Sequence, residues 1–229
     1  MKYKTLFVVP NRVQLGLTVA THKEIFMRII TVSRQFSSGG RELAKRMADI
    51  LGFDYYDKEI ITEIAKSTSL DERFVEASLS KGYKAIPLHF ARSFSFAFAS
   101  TGKSQLLVEE KKVIDAIAQK GKDFIIVGRN ADLLLKEYNP LNIFVCADLE
   151  SKINRCLEKA TEEEKPSRKE IEKQIKQIDK DRASTRALLS ESKWGDCVNY
   201  HLTINTTGWQ IKELTPIISK LAELYFGDK

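Results

Sequence analysis

The sequence predicts an α/β fold on a mostly parallel sheet of about five strands, and three observations carry that prediction. Strand-like runs alternate with helical patterns along the chain. Three of those runs, Ile29–Val32, Phe124–Val127 and Ile143–Cys146, are continuously apolar, as parallel strands covered on both faces must be. The first run leads directly into a loop of small residues and then a helical pattern.

In chain order, residues 1–26 come first. Their apolar stretch is only Leu6 to Val9 and ends at Pro10-Asn11-Arg12, shorter than the about 7–15 residues of a signal-peptide core. They are expected to form an accessory, poorly ordered extension, with Met27 as an alternative start; the domain proper is read as 27–229. Strands are expected at Ile29–Ser33, Phe53–Tyr56, Phe124–Val127, Asn142–Ala147 and Leu202–Asn205, where β-branched and aromatic residues concentrate. Gly40–Ile50 places Leu43, Met47 and Ile50 on one helical face. Asp57 is expected to N-cap a helix with Ile60, Ile61 and Ile64 inward. Ser104–Gln119 groups Leu107, Ile114, Ile117 and Ala118, and Lys169–Arg186 repeats Ile171, Ile175 and Ile178 in a charged surround. Ile211–Tyr225 repeats Ile211, Leu214, Ile218, Leu221 and Tyr225, with Pro216 expected to kink the helix or mark its true start. Residues 67–103, with Phe90, Phe94, Phe96 and Phe98, and residues 159–195, rich in Lys, Arg and Glu, fit no strand or flanking helix of the sheet and read as two inserts at one end of it.

Composition narrows the function classes. The 229 residues are 43% hydrophobic and 30% charged, a globular balance that excludes collagen, mucin and wholesale disorder. No apolar run reaches the roughly 18 residues a membrane span needs, so no membrane association is expected. Cys146, Cys156 and Cys197 have no paired-motif spacing, which argues against a disulfide scaffold or zinc site and for a reducing cytoplasm. A net charge of +6 favours anionic partners. Nucleic acid and a small phosphorylated substrate both satisfy it, and nucleic acid is the weaker reading because no reading motif is present.

The loop Ser33-Arg34-Gln35-Phe36-Ser37-Ser38-Gly39-Gly40-Arg41-Glu42 lies between a strand and a helix. Backbone N–H groups and the helix dipole point at an anion in such a cradle. The Walker pattern GxxxxGK[ST] is partly met: Arg34 stands at the first Gly and Gly40 at the Lys. Arg41 and Glu42 follow, with no Ser or Thr for magnesium; Glu42 is the candidate metal carboxylate, and a plain strand-to-helix turn is the competing reading. A second loop, Ala97-Phe98-Ala99-Ser100-Thr101-Gly102-Lys103-Ser104, ends in Gly-Lys-Ser but lacks the leading Gly. Arg129, after the third strand, is placed to clamp a phosphate with its planar fork. Asp179-Lys180-Asp181-Arg182 and Arg186 end a charged helix, and Arg155 lies on the preceding one; each also reads as a solvated face.

The ordered set Ser37-Ser38-Gly39-Gly40-Arg41-Glu42, Tyr55-Tyr56-Asp57-Lys58-Glu59, Ile126-Val127-Gly128-Arg129, Asp179-Lys180-Asp181-Arg182, Lys193-Trp194-Gly195-Asp196 and Leu202-Thr203-Ile204-Asn205-Thr206 resembles the cytidylate kinase-like family, a divergent branch of the nucleoside monophosphate kinases, over about residues 28–226. The resemblance implies a P-loop kinase-like three-layer fold with a helical lid at 159–195 and a monophosphate-side insert at 67–103. It implies transfer of a phosphoryl group from ATP, carried with Mg2+, to CMP or dCMP. By that likeness Ser37, Ser38, Gly39, Gly40, Arg41 and Glu42 hold the donor phosphates. Asp57 and Lys58 open the monophosphate-binding helix, Arg129 grips the acceptor phosphate, and Arg155, Arg182 and Arg186, with Asp181, belong to the closing lid. Arg41, Arg129 and Arg182 are the catalytic set. Two departures stand out: Gly40 at the Walker Lys, for which Arg41 is the expected substitute, and Val127 where true cytidylate kinases carry Asp. A non-catalytic nucleotide-sensing module is the rival reading, and a homo-oligomer is compatible with the sequence.

Overall fold

The computed structural model describes residues 27–80, 103–160 and 166–227. Strand β1 (Ile29–Arg34) enters helix α1 (Gly40–Leu51) through the glycine loop, and β2 (Asp54–Tyr56) follows. Helices α2 (Glu59–Thr68), α3 (Glu72–Ser80) and α4 (Lys103–Ala118) precede β3 (Phe124–Val127). A single-turn helix α5 (Ala131–Leu134) leads to β4 (Leu141–Cys146), then α6 (Leu149–Lys159) and the long α7 (Arg168–Leu189). Strand β5 (Leu202–Asn205) and α8 (Ile211–Phe226) complete the described chain.

The five strands run in the order β2-β3-β1-β4-β5, and every neighbouring pair is parallel. Central β1 sets Val32 beside Val127 on one side and Ile143 on the other. The carboxyl ends of β1, β3 and β4 therefore open at one edge, where an open α/β sheet has its ligand crevice. Side chains alternate between faces. Ile30, Val32, Ile125 and Val127 pack with Leu43 and Met47 of α1 and Ile211 of α8. Ile29, Phe124 and Ile126 pack with Ile60 and Ile64 of α2 and Ile114 of α4. A third cluster joins Ile153 of α6 to Ile171 and Ile175 of α7, with Phe36 of the glycine loop against it.

Local expectations are corrected at several points. Asp57 does not cap α2: Lys58 occupies the cap position in a helical conformation, without a side-chain cap, and the Asp57 carboxylate is drawn off by two arginines. Pro216 does not mark the start of α8, which begins at Ile211. Burial of Ile211 and Leu214 against the core holds that first turn, and the Thr215 hydroxyl donates to the Ile211 carbonyl. Ile50, Leu221 and Tyr225, expected inward, are exposed; Ala48 and Ala222 take the contact positions beside them. Asn130 sits at the cap position of α5 but its side chain makes no cap bond. The extension 1–26 and the four phenylalanines at 90, 94, 96 and 98 lie outside the described residues. Among the described residues no helix is long and apolar enough to cross a membrane, and the three cysteines are free thiols.

Candidate active site

Two backbone features shape the glycine loop. Ser37 (φ 56°) and Gly39 (φ 82°) both adopt the left-handed region, a backbone conformation from which anion-binding concavities are built. For Ser37 this is strained, and such strain persists only where the surroundings enforce it. Gly39 is enforced twice, because a Cβ there would lie 2.4 Å from the Ile211 Cδ1. The loop is braced by the Ser38 hydroxyl, which donates to the Gln35 carbonyl, and by Thr206, whose hydroxyl donates to the Ser38 carbonyl. Helix α1 carries no side-chain cap, so its first-turn N–H groups face outward without a side-chain acceptor.

Beside the loop lies a cleft of about 870 Å3 lined by residues from β1, α1, α3, α4, α7 and the turn after β3. Arg34, Arg41, Arg129 and Arg182 converge on it, and Lys58, Asn130 and Asp181 share its wall. The arginines repel one another. Burial, then Arg182, Arg129 and Arg41, bring the Arg34 guanidinium down to about 9, with Asp57 opposing. Arg182 is lowered by burial, opposed by Asp179, with Arg41 and Arg129 adding to the fall. Seven cationic residues line the cleft against the acids Glu76, Glu110, Glu170 and Asp181. Asp57 accepts from Arg41 Nε at 2.6 Å and lies 3.8 Å from Arg34, and Glu110 Oε1 lies 3.8 Å from Arg129 Nη1. A cluster this rich in cations, at the carboxyl edge of a parallel sheet, favours a multiply charged anion.

Arg129 is aimed by its backbone. Gly128, Arg129 and Asn130 are three consecutive left-handed residues (φ 72°, 59° and 49°). Gly128 suits its positive φ, and a Cβ there would meet Arg34 Nη1 at 1.7 Å and displace that guanidinium. The Gly-Arg pair thus makes room for one arginine while presenting the next.

Helix α7 reaches the loop through Asp179, which stands in the Asp179-Lys180-Asp181-Arg182 motif without a role assigned to it. Its Oδ1 accepts the Phe36 N–H at 2.6 Å and Arg182 Nη1 at 3.3 Å, and Oδ2 lies 3.4 Å from Lys152 Nζ. Arg182 also donates to the Arg34 carbonyl. Asp179→Asn keeps an acceptor for Phe36 but removes the countercharge between Lys152 and Arg182. Amide exchange across 176–186, followed by mass spectrometry, is expected to accelerate about tenfold, the equivalent of about 1.4 kcal/mol. Wild-type exchange in that peptide would show that the carboxylate does not pin the helix.

Other expected residues lie elsewhere. Arg186 does not line the cleft: it is 1% exposed and pairs with buried Asp132. Glu42 pairs with Arg46 one turn along α1, which draws its carboxylate along the helix surface. Arg155 donates to the Thr206 hydroxyl and to the Thr206 and Trp209 carbonyls, one residue removed from the loop through Thr206. The competing loop lies outside the described residues up to 102, and α4 begins at Lys103. Arg34, Arg73 and Glu110 line the cleft without having been singled out as site residues; for Arg34 the available signal was its joint departure with Gly40 from the Walker pattern.

An uncharacterized protein from Eubacterium ventriosum ATCC 27560 superposes with a TM-score of 0.62 at 24% identity, over 86% of this chain and 98% of that one. Shikimate kinase from Bacteroides thetaiotaomicron superposes with a TM-score of 0.53 at 16% identity, over 86% of this chain and 99% of that one. These likenesses show the fold, a P-loop kinase-like parallel sheet with flanking helices. Among curated proteins none matches. Residues 29–208 match the family described as cytidylate kinase-like; together with the glycine loop and the sheet order, that match establishes that the chain belongs to the cytidylate kinase-like family.

Proposed function

We propose that the protein is a nucleoside monophosphate kinase that transfers the γ-phosphoryl group of ATP to CMP or dCMP. The observation that carries this reading is the convergence of Arg34, Arg41, Arg129 and Arg182 on a cleft beside an uncapped helix N-terminus. Phosphoryl transfer asks a protein mainly to position two phosphates in line and to neutralise the charge spread over the transferring group. In this reading the loop 37–41 holds the donor phosphates by its backbone. Arg129 holds the acceptor phosphate, with Arg41 steadied by Asp57, while Lys58 and Asp181 face the acceptor. Arg182 approaches from α7 as part of the lid, and α3 flanks the acceptor side. The bond from the γ-phosphorus to its bridging oxygen breaks as an acceptor phosphate oxygen bonds to that phosphorus. The acceptor oxygen is already anionic, so the wall needs no general base. Magnesium enters as part of the substrate, chelated by the triphosphate.

The test is a coupled assay of ADP formation with ATP, Mg2+ and each nucleoside monophosphate in turn. CMP and dCMP are expected to give the highest kcat/KM. Turnover favouring another monophosphate would replace the acceptor assignment. ATP binding with no turnover on any would favour the nucleotide-sensing rival.

A further inference from the structure

The two departures from the Walker pattern are one steric event. A Cβ on Gly40 would lie 2.7 Å from the Arg34 Cβ and 3.3 Å from its Cγ, with the Val145 Cβ at 3.1 Å as the lesser contact; the first is closer than side chains pack. A lysine at 40 and an arginine at 34 therefore exclude each other. From that contact the Arg34 side chain runs toward Gly128, where Nη1 fills the space a Cβ would need. Its guanidinium ends in the cleft with Arg129 and Arg182.

We propose that Arg34, and not Arg41, supplies the positive charge that a complete Walker loop draws from the lysine at position 40, and that its ligand is the polyphosphate of a nucleoside triphosphate. The inference rests on the kinase reading above. Arg41 is half exposed and already holds Asp57 through Nε at 2.6 Å. Arg34 is largely buried, and the same Asp57 lies 3.8 Å from it. Its charged form is disfavoured by burial and by three arginines, a state that an arriving anion relieves. The charge has moved from the first helical residue to the last strand residue, which pairs with Val145 of β4 and whose carbonyl accepts from Arg182.

Arg34→Met keeps the length of the stem and removes the charge. Calorimetric titration of the protein with MgATP is expected to show at least tenfold weaker binding. The melting temperature is expected to stay at or above wild type, because the variant removes a charge that the fold disfavours. A residue with a packing role alone would give the opposite pattern. A charge exchange provides the second arm: Gly40→Lys alone should abolish MgATP binding by its clash with Arg34, and Arg34→Gly with Gly40→Lys should recover at least tenfold over it. Wild-type MgATP affinity in Arg34→Met overturns the proposal, as does a folded double variant no better than Gly40→Lys. Should the double variant fail to fold, the Met arm decides. Since both arms read binding, they stand apart from the kinase reading, which fails instead when wild-type protein binds MgATP and turns over no monophosphate.

Discussion

Replacing Arg186 by alanine is expected to lower unfolding free energy by about 3–5 kcal/mol, the cost of breaking a buried ion pair from one side. The guanidinium donates Nη1 to Asp132 Oδ2 and Nε to the Ser192 hydroxyl, and lies 5.6 Å from the Tyr200 ring centroid. Both side chains of the pair are 2% exposed. Alanine would leave the Asp132 carboxylate buried beside a cavity. The pair also ties α7 to α5. Replacing both partners, Arg186→Met with Asp132→Leu, should cost less than the single change, because no unpaired charge then remains. Urea denaturation of the three variants checks the order. The kcat/KM of the folded Arg186→Ala fraction should stay within about threefold of wild type, since a residue outside the reacting cleft loses no donor to the transition state. A hundredfold fall in folded protein would return Arg186 to the substrate site.

Arg129→Ala should do the reverse. Turnover should fall about 100-fold, the loss of one well-placed donor in a preorganised site, equivalent to about 2.7 kcal/mol. Stability should move by no more than about 1 kcal/mol, as expected for changes that open no cavity. Two terms offset each other: Glu110 loses a cation 3.8 Å away, while Arg34 and Arg182 lose a repelling neighbour. Alanine at φ 59° is as strained as arginine, so the backbone term is unchanged. Arg129→Lys should recover little, because a point charge lacks the planar fork. Melting temperature measured alongside kcat/KM for CMP separates the outcomes. A variant that melts far lower at unchanged specific activity would make Arg129 structural.

The central strands were legible because β1, β3 and β4 are buried on both faces and read as unbroken apolar runs. The short edge strand Asp54–Tyr56 was placed by its aromatics within a residue. The helical repeat from Ile211 was legible to within a residue of α8, and of the two outcomes open for Pro216 a start there is excluded because Ile211 and Leu214 are buried ahead of it. At the cleft, Arg41, Lys58, Arg129, Asp181 and Arg182 could be named because each sits in a short motif next to an element end. Arg34 and Asp179 escaped for a different reason. Their partners are Gly40, Gly128, Phe36 and Lys152, most of them distant in sequence, and periodicity carries no information about such meetings. Arg186 is the opposite case: the resemblance places it in the lid, and its burial against Asp132 cannot be read from a charged helix.

The passage of the Arg34 side chain between two glycines also constrains how this loop can change over generations. Position 40 cannot gain a side chain while position 34 keeps its arginine, and position 128 is closed by the same guanidinium. A lineage moving toward a lysine-type loop must first give up Arg34, passing through an intermediate with neither cation. Relatives should therefore fall into two groups, arginine at 34 with glycine at 40, or glycine at 34 with a side chain at 40, while the positive φ keeps glycine favoured at 128 in both. Mixed combinations should be rare, because selection would meet the steric conflict before any benefit of the added charge.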